Sequence, residues 1–452
     1  MFQSVNPATG AAGTPIPEMT AADVEARLAL AAATYRDWRR TDLAARSVLL
    51  ERIADVFAAN ADRLAEIATR EMGKTLKSSL AEVHKCVGGF RYYAKAGPAM
   101  LADLPVSIAS GTARQTWLPI GPVLAVMPWN FPYWQVVRFL APTIMAGNVG
   151  LLKHASLTQG VAAAIEEMVL AAGAPPGLFQ NLAIRAGAVE SVILDPRVAA
   201  VTLTGSEDAG SRVAEVAGRV LKKVVLELGG SDPFIVMPSA DLDAAVPAAV
   251  AARLQNAGQS CICGKRMIVH ADIYDAFQAR FVAAMAAATV GDPMDPANDI
   301  GPLSSVEQRA TVVEQLARFQ AAGATLIGGE ALAGAGAYLT PGVLTNVPVD
   351  HPIAQEEVFG PVAMLFKVAD INAAIALANA TPFGLGSSVW TCDQGEQARF
   401  VRDIEAGMTA INQVLVSANE LAFGGVKRSG HGRELGPWGL HEFMNLKTVL
   451  GI

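Results

Sequence analysis

Apolar positions follow two rhythms along the chain. Between residues 20 and 40, Val24, Leu28, Leu30, Ala31 and Tyr35 recur among charges at helical spacing, and residues 42 to 70 continue the pattern. This predicts amphipathic helices with Thr20 as an N-cap. From Val123 the rhythm becomes short continuous apolar runs, Val123 to Met127, Val149 to Leu152, Ala199 to Leu203 and Val224 to Leu228, separated by helix-length segments. Strands without alternation, divided by helices, predict a parallel sheet covered on both faces. A second series at Arg266 to His270, Val362 to Val368 and Ser387 to Trp390 predicts another α/β unit. Between the helical start and the first sheet, Leu101 to Leu118 has the polar alternation of an exposed strand pair that includes Ser110-Gly111-Thr112. Gln115 to Val137 carries no charge, but Pro119, Pro122, Pro128 and Pro132 interrupt it. A buried strand, a turn and the start of a helix fit this stretch better than a membrane span.

Composition narrows the class of protein. A chain of 452 residues, 52% hydrophobic and 17% charged, predicts two or three globular domains. The net charge of −7 without a Lys/Arg cluster argues against nucleic acid or an anionic membrane as partner and favours small molecules. Met1 to Pro7 has no signal-peptide pattern, so a cytoplasmic protein is expected. The cysteines Cys86, Cys261, Cys263 and Cys392 show neither a disulfide framework nor zinc spacing, so no metal is expected.

The chemistry concentrates between Glu227 and Cys261. Leu226-Glu227-Leu228-Gly229-Gly230 offers a carboxylate and Gly258-Gln259-Ser260-Cys261 a thiol, each in a Gly-marked turn. A thiolate attacking a carbonyl carbon, with a carboxylate as base for the thiol or for a later water, is covalent catalysis through a thioester. The alternative for Cys261 is a small buried hydrophobe. Asn130 in Pro128-Trp129-Asn130-Phe131-Pro132 can donate its amide to an oxyanion or act only as a turn cap. Gly205 and Ser206 follow an apolar strand and open a helix, as suits a pyrophosphate or a plain strand-to-helix turn.

These segments, with Glu356-Glu357-Val358-Phe359-Gly360-Pro361, occur in an order and spacing that resembles the aldehyde dehydrogenase superfamily from about Asn6 to Val449. Within it, Leu152-Lys153-His154-Ala155, Gly230-Ser231-Asp232-Pro233 and Ala422 to Gly430 look most like the short bacterial succinate-semialdehyde dehydrogenases. The resemblance implies an α/β fold with a Rossmann-like cofactor domain at 1–100 and 119–229. A second α/β catalytic domain at 230–440 and a β oligomerisation arm at 101–118 and 441–452 complete it. The arm implies a homodimer or homotetramer.

By the same resemblance Cys261 is the nucleophile, Glu227 the base for thioester hydrolysis and Asn130 an oxyanion donor. A Glu at this position is generally missing from the coenzyme-A-acylating branch, so hydrolysis is expected. Trp129, Lys153, Ser156, Gly205, Ser206, Glu357 and Phe359 fall on the cofactor side. Ser156 stands where many NAD-preferring members have an acidic residue, which favours NADP over NAD, although Ser156 also fits a helix cap. His154 replaces the usual Pro and fits a hydrogen-bonded loop histidine. On the substrate side, Arg138 matches an Arg that binds a distal carboxylate, or is a surface helix Arg. Gln255 replaces a second such Arg. Ser417 adds a hydroxyl, and Trp134 and Phe423 add apolar walls. Cys263 is either a partner for a reversible disulfide with Cys261 or a buried neighbour pointing away. The expected reaction is oxidation of succinate semialdehyde to succinate. Glutarate semialdehyde or another small aldehyde is the alternative substrate, and a catalytically silent binding or structural protein is the alternative class.

Overall fold

In the computed structural model, which describes residues 1–109 and 111–451, the strands form three sheets. Ser110, in the expected arm, lies outside the described residues. The first sheet runs in the order Gly430–His431, Lys223–Glu227, Ala200–Thr204, Pro122–Met127, Val149–His154, Phe179–Asn181. All of its pairs are parallel except that of Gly430–His431 with Lys223–Glu227. The apolar runs at Val123, Val149, Ala199 and Val224 are thus four of its strands, displaced by at most two residues at their ends. Strand order reverses beside Pro122–Met127, because the next strands lie to one side and Ala200–Thr204 to the other. Right-handed crossovers in opposite directions put their helices on opposite faces, which leaves a crevice at the carboxyl ends of these two strands.

Thr20 caps Ala21–Trp38 by accepting from the Asp23 amide, and Asp23 reciprocates to the Thr20 amide. The pattern over residues 42 to 70 is two helices, Leu43–Ala59 and Ala61–Met72, broken at Asn60. The long helix Leu76–Met100 follows; it packs against Leu43–Ala59 and against Trp134–Ala146. No helix among the described residues is long and apolar enough to cross a membrane.

The second sheet has the order Thr325–Gly328, Gly342–Thr345, Val362–Val368, Gly264–His270, Asp232–Val236, Ser388–Trp390, Ala410–Ile411, parallel apart from its first strand. Asp232–Val236 is central, although Pro233 argues against a central strand. A register shift between Asp232 and Pro233 absorbs the missing donor. The third sheet joins Leu104–Ile108, Gly111–Pro119 and Met444–Leu450 in antiparallel order within one chain.

Two apolar cores lie around the two large sheets. Phe423, Leu435 and Leu440, in the stretch assigned from sequence to the second unit, pack in the first core. The strand Gly430–His431 on the edge of the first sheet carries them there.

Candidate active site

The turn that presents Cys261 is held rigidly. Asn256, Ala257 and Gly258 have φ of 52°, 53° and 75°, a left-handed run that non-glycine residues adopt only where surroundings enforce it. At Gly258 a Cβ would lie 2.1 Å from the Gly360 carbonyl oxygen, so only glycine fits against the Phe359-Gly360-Pro361 segment. Asn256 donates to the carbonyls of Asn130, at 2.7 Å, and Gln259, at 3.2 Å. Buried Lys265 donates to the carbonyls of Ser260 and Cys261, both at 2.8 Å, and pairs with Glu357 at 3.0 Å. Arg253, also buried, donates to the carbonyls of Val358 and Val362 at 2.8 Å, tying the Glu357 loop to the thiol loop.

Two cavities meet at Cys261. One, of about 220 Å³, occupies the crevice of the first sheet. Trp129, Gly205, Ser206, Glu357 and Phe359, five of the residues expected there from the sequence, line it together with Asn130. Trp129 and Phe359 meet edge to face with centroids 5.7 Å apart, and the Ser206 hydroxyl caps Glu207–Arg219 by accepting from the Ala209 amide. Glycine backbone, a helix N-terminus and two aromatic rings make a cradle that fits a dinucleotide's phosphates and its flat ring.

Lys153 and Ser156 lie beyond the lining of this cavity. Lys153 is in the strand Val149–His154, and burial draws its ammonium below the usual lysine range. Ser156 is exposed in the short turn Ser156–Thr158, where Ala155 holds the N-cap position. His154 is fully buried, its Nδ1 accepting from the Ala155 amide at 2.8 Å and its Nε2 facing the Pro132 carbonyl at 2.9 Å. Burial drives its pKa down to about 4, so it is a neutral, hydrogen-bonded loop histidine.

The second cavity, of about 180 Å³, is lined by Trp134, Arg138, Gln255, Ser417 and Phe423, all expected, and by Lys85 and Glu82, which were not. Arg138 is no surface helix residue: it is buried, forms an ion pair with Glu434, donates to Thr204 at 3.2 Å and lies 4.6 Å from the Phe423 ring centroid. Its charge is therefore already matched inside the protein. Lys85 and Glu82 escape a sequence reading because their helix, Leu76–Met100, has charges that look like an ordinary solvated face.

Burial pushes the Cys261 thiol up to about 12, against the pull of Arg138 and Lys265. The thiol rests neutral and has to lose its proton before it can attack. The Asn130 amide donates to the Gln259 carbonyl at 3.1 Å, which fixes its direction and leaves its second N–H for another acceptor. Glu227 ends the strand Lys223–Glu227 and is buried, and burial together with Glu434 raises its carboxyl well above the carboxylate range. Among the described residues neither of its oxygens has a hydrogen-bond partner, and it lines neither cavity. A Cβ at Gly424 would fall 2.6 Å from one of those oxygens. Cys263 is buried with its Sγ 3.6 Å from the Gln255 carbonyl and lines neither cavity.

A doubly wound sheet and a second α/β unit enclosing a thiol between a dinucleotide cradle and a small cavity define the class. The pattern of the aldehyde dehydrogenase family matches residues 1–449, and the chain belongs to that family. It is 52% identical over 450 residues, 99% of this chain and 98% of the relative, to succinate-semialdehyde dehydrogenase [NADP(+)] 1 of Mycobacterium tuberculosis strain H37Rv. The protein of the same name from Mycobacterium ulcerans is 52% identical over 451 residues, 99% of this chain and 98% of that one. Succinic semialdehyde dehydrogenase from Streptococcus pyogenes, solved in complex with NADP+, superposes with a TM-score of 0.97 at 39% identity, covering 99% of both chains.

Proposed function

We propose that the protein oxidises succinate semialdehyde to succinate with NADP as the favoured cofactor, through a thioester on Cys261. The observation that carries this reading is the placement of Cys261 in the walls of both cavities, where one thiol reaches the aldehyde from one side and faces the cofactor cradle on the other. The names of the mycobacterial and streptococcal relatives support the substrate and the cofactor. In this reading the cofactor unit comprises 1–100 and 119–229, the catalytic unit 230–440, whose stretch from Phe423 to Leu440 packs on the first core, and the arm 101–118 and 441–452.

After its proton has passed to water, the Cys261 thiolate adds to the aldehyde carbon, forming a C–S bond and an alkoxide. Asn130 offers its free N–H to that alkoxide, a donor whose removal typically costs a factor of roughly 100 to 1,000 in rate. Trp129 and Phe359 would hold the nicotinamide beside Cys261, where the cofactor would supply the acceptor for the hydride that leaves the alkoxide carbon as its C=O re-forms into the thioester. Glu357, braced by Lys265, and the Gly205-Ser206 turn would hold its ribose and phosphates, while Lys153 and the Ser156 hydroxyl serve its adenosine end. Glu227 then takes a proton from the water that attacks the thioester carbon. The C–S bond breaks, the acid leaves and the thiol is restored. Because Glu227 lines neither cavity, it acts after a side-chain rotation or through an intervening water.

The partner assembly we propose is a homodimer or homotetramer in the cytosol, a compartment in keeping with four free cysteines. Cofactor reduction by the purified protein, followed with NADP and NAD against succinate semialdehyde, glutarate semialdehyde and uncharged aldehydes, tests the reading. Preference for succinate semialdehyde with NADP is expected. Efficient use of uncharged aldehydes at the expense of the semialdehyde would overturn the substrate, and use of NAD alone would overturn the cofactor.

A further inference from the structure

The substrate cavity holds a cation that the sequence comparison gave no role. Lys85 projects from Leu76–Met100 into the wall of the cavity, half-buried, its Nζ 4.4 Å from the Trp134 ring centroid. Among the described residues it makes no ion pair. Its neighbour Glu82 is taken up by buried Lys74, and the other cation of the cavity, Arg138, is taken up by Glu434. Lys85 Nζ donates to the Ser417 hydroxyl at 2.5 Å, and Trp134 Nε1 donates to the same hydroxyl at 3.1 Å. With both lone pairs of that oxygen occupied, the Ser417 O–H has to donate outward. An unmatched ammonium and a hydroxyl donor thus stand together in the wall of a cavity that also reaches Cys261, the arrangement a carboxylate oxygen pair completes.

We propose that Lys85, together with the Ser417 hydroxyl, binds the carboxylate at the far end of the semialdehyde and so sets the enzyme's preference for an aldehyde acid. The proposal rests on the succinate-semialdehyde reading above. It supplies the charge missing at Gln255 and transfers to Lys85 the role expected of Arg138, whose guanidinium Glu434 already neutralises.

The groups facing Lys85 are Glu82 and Cys86 on its own helix, Lys74 just before it, Arg138 and Trp134 on the helix packed against it, and Ser417. Burial, with Arg138 adding repulsion, brings the Lys85 pKa down to about 8. The charge is present below that pH and lost above it, so attraction for a carboxylate weakens as pH rises through about 8.

Full-length wild type and Lys85→Met are assayed with succinate semialdehyde and with butanal, which has the same carbon chain without the carboxylate. In Lys85→Met, KM for the semialdehyde should rise about 10- to 100-fold with kcat nearly kept, while butanal kinetics hold or improve. A wild type that prefers the semialdehyde paired with a variant that keeps that preference overturns the role of Lys85 alone. A wild type without the preference overturns the substrate reading itself, and Lys85's part with it. Should the variant lose both substrates, the wild type decides. The ratio of its kcat/KM values for the two aldehydes cancels titration of Cys261 and Glu227, and should fall as pH passes about 8. A level ratio across that pH overturns the proposal.

Discussion

Glu227 and Cys261 are two groups whose surroundings hold them protonated, and the proposed chemistry needs both deprotonated in turn. Burial is what raises Glu227, and Glu434 adds to it. A carboxyl raised in this way is the acid below its shifted pKa and the base only above it. Turnover limited by thioester hydrolysis should therefore climb with pH. Glu227→Gln keeps the shape and removes the base. It should give a burst of reduced cofactor matching the number of active sites, then steady turnover lowered by a factor of roughly 100 or more and no longer climbing with pH. Rapid-mixing absorbance measurements distinguish the burst from the steady phase. Unchanged steady turnover would remove Glu227 from the deacylation step. The identities of these residues were legible because their motifs carry the types the chemistry requires. The pairing of Arg138 with Glu434 was not legible, since the partners are far apart in sequence and their charges meet only when Gly430–His431 joins the first sheet.

Among elements, Leu76–Met100 does the most that its sequence conceals. Its Glu82 accepts from the amides of Tyr133 and Trp134, both at 2.8 Å, at the start of Trp134–Ala146, and pairs with buried Lys74. One carboxylate thus caps the helix that bears Trp134 and Arg138 and neutralises a cation with no access to water. Glu82→Ala leaves the Lys74 charge buried and two amides without an acceptor, a change expected to cost about 3–5 kcal/mol of stability. Denaturant unfolding of the two proteins under identical buffer measures it, and a loss near zero would mean that Lys74 finds water or another anion. The same capping logic made Thr20 readable, because the amide it accepts from lies within its own turn. Glu82 caps a helix far along the chain, and local patterning contains no trace of that.

Over the whole molecule, the antiparallel sheet of Leu104–Ile108, Gly111–Pro119 and Met444–Leu450 leaves a row of apolar side chains in the open. Leu104, Val106 and Ile108 are exposed at 46%, 39% and 37%, and alternation puts all three on one face of an edge strand. An apolar edge of this kind invites a second copy of the chain. Val106→Asp should shift the protein toward smaller species in light scattering after size exclusion, with the active site intact in each chain. An unchanged mass would place the interface elsewhere. The apolar runs dictated the parallel sheet by themselves, since a strand buried on both faces has no polar positions to alternate. The rare residue combinations around Asn130, Glu227, Cys261 and Phe359 likewise dictated the thiol chemistry. Only the tertiary structure decided which charges remain unmatched. Arg138 and Lys85 look alike as letters in helices, yet one meets Glu434 and the other meets no carboxylate among the described residues, because the energy of a buried charge depends on what the fold brings within a few ångströms of it.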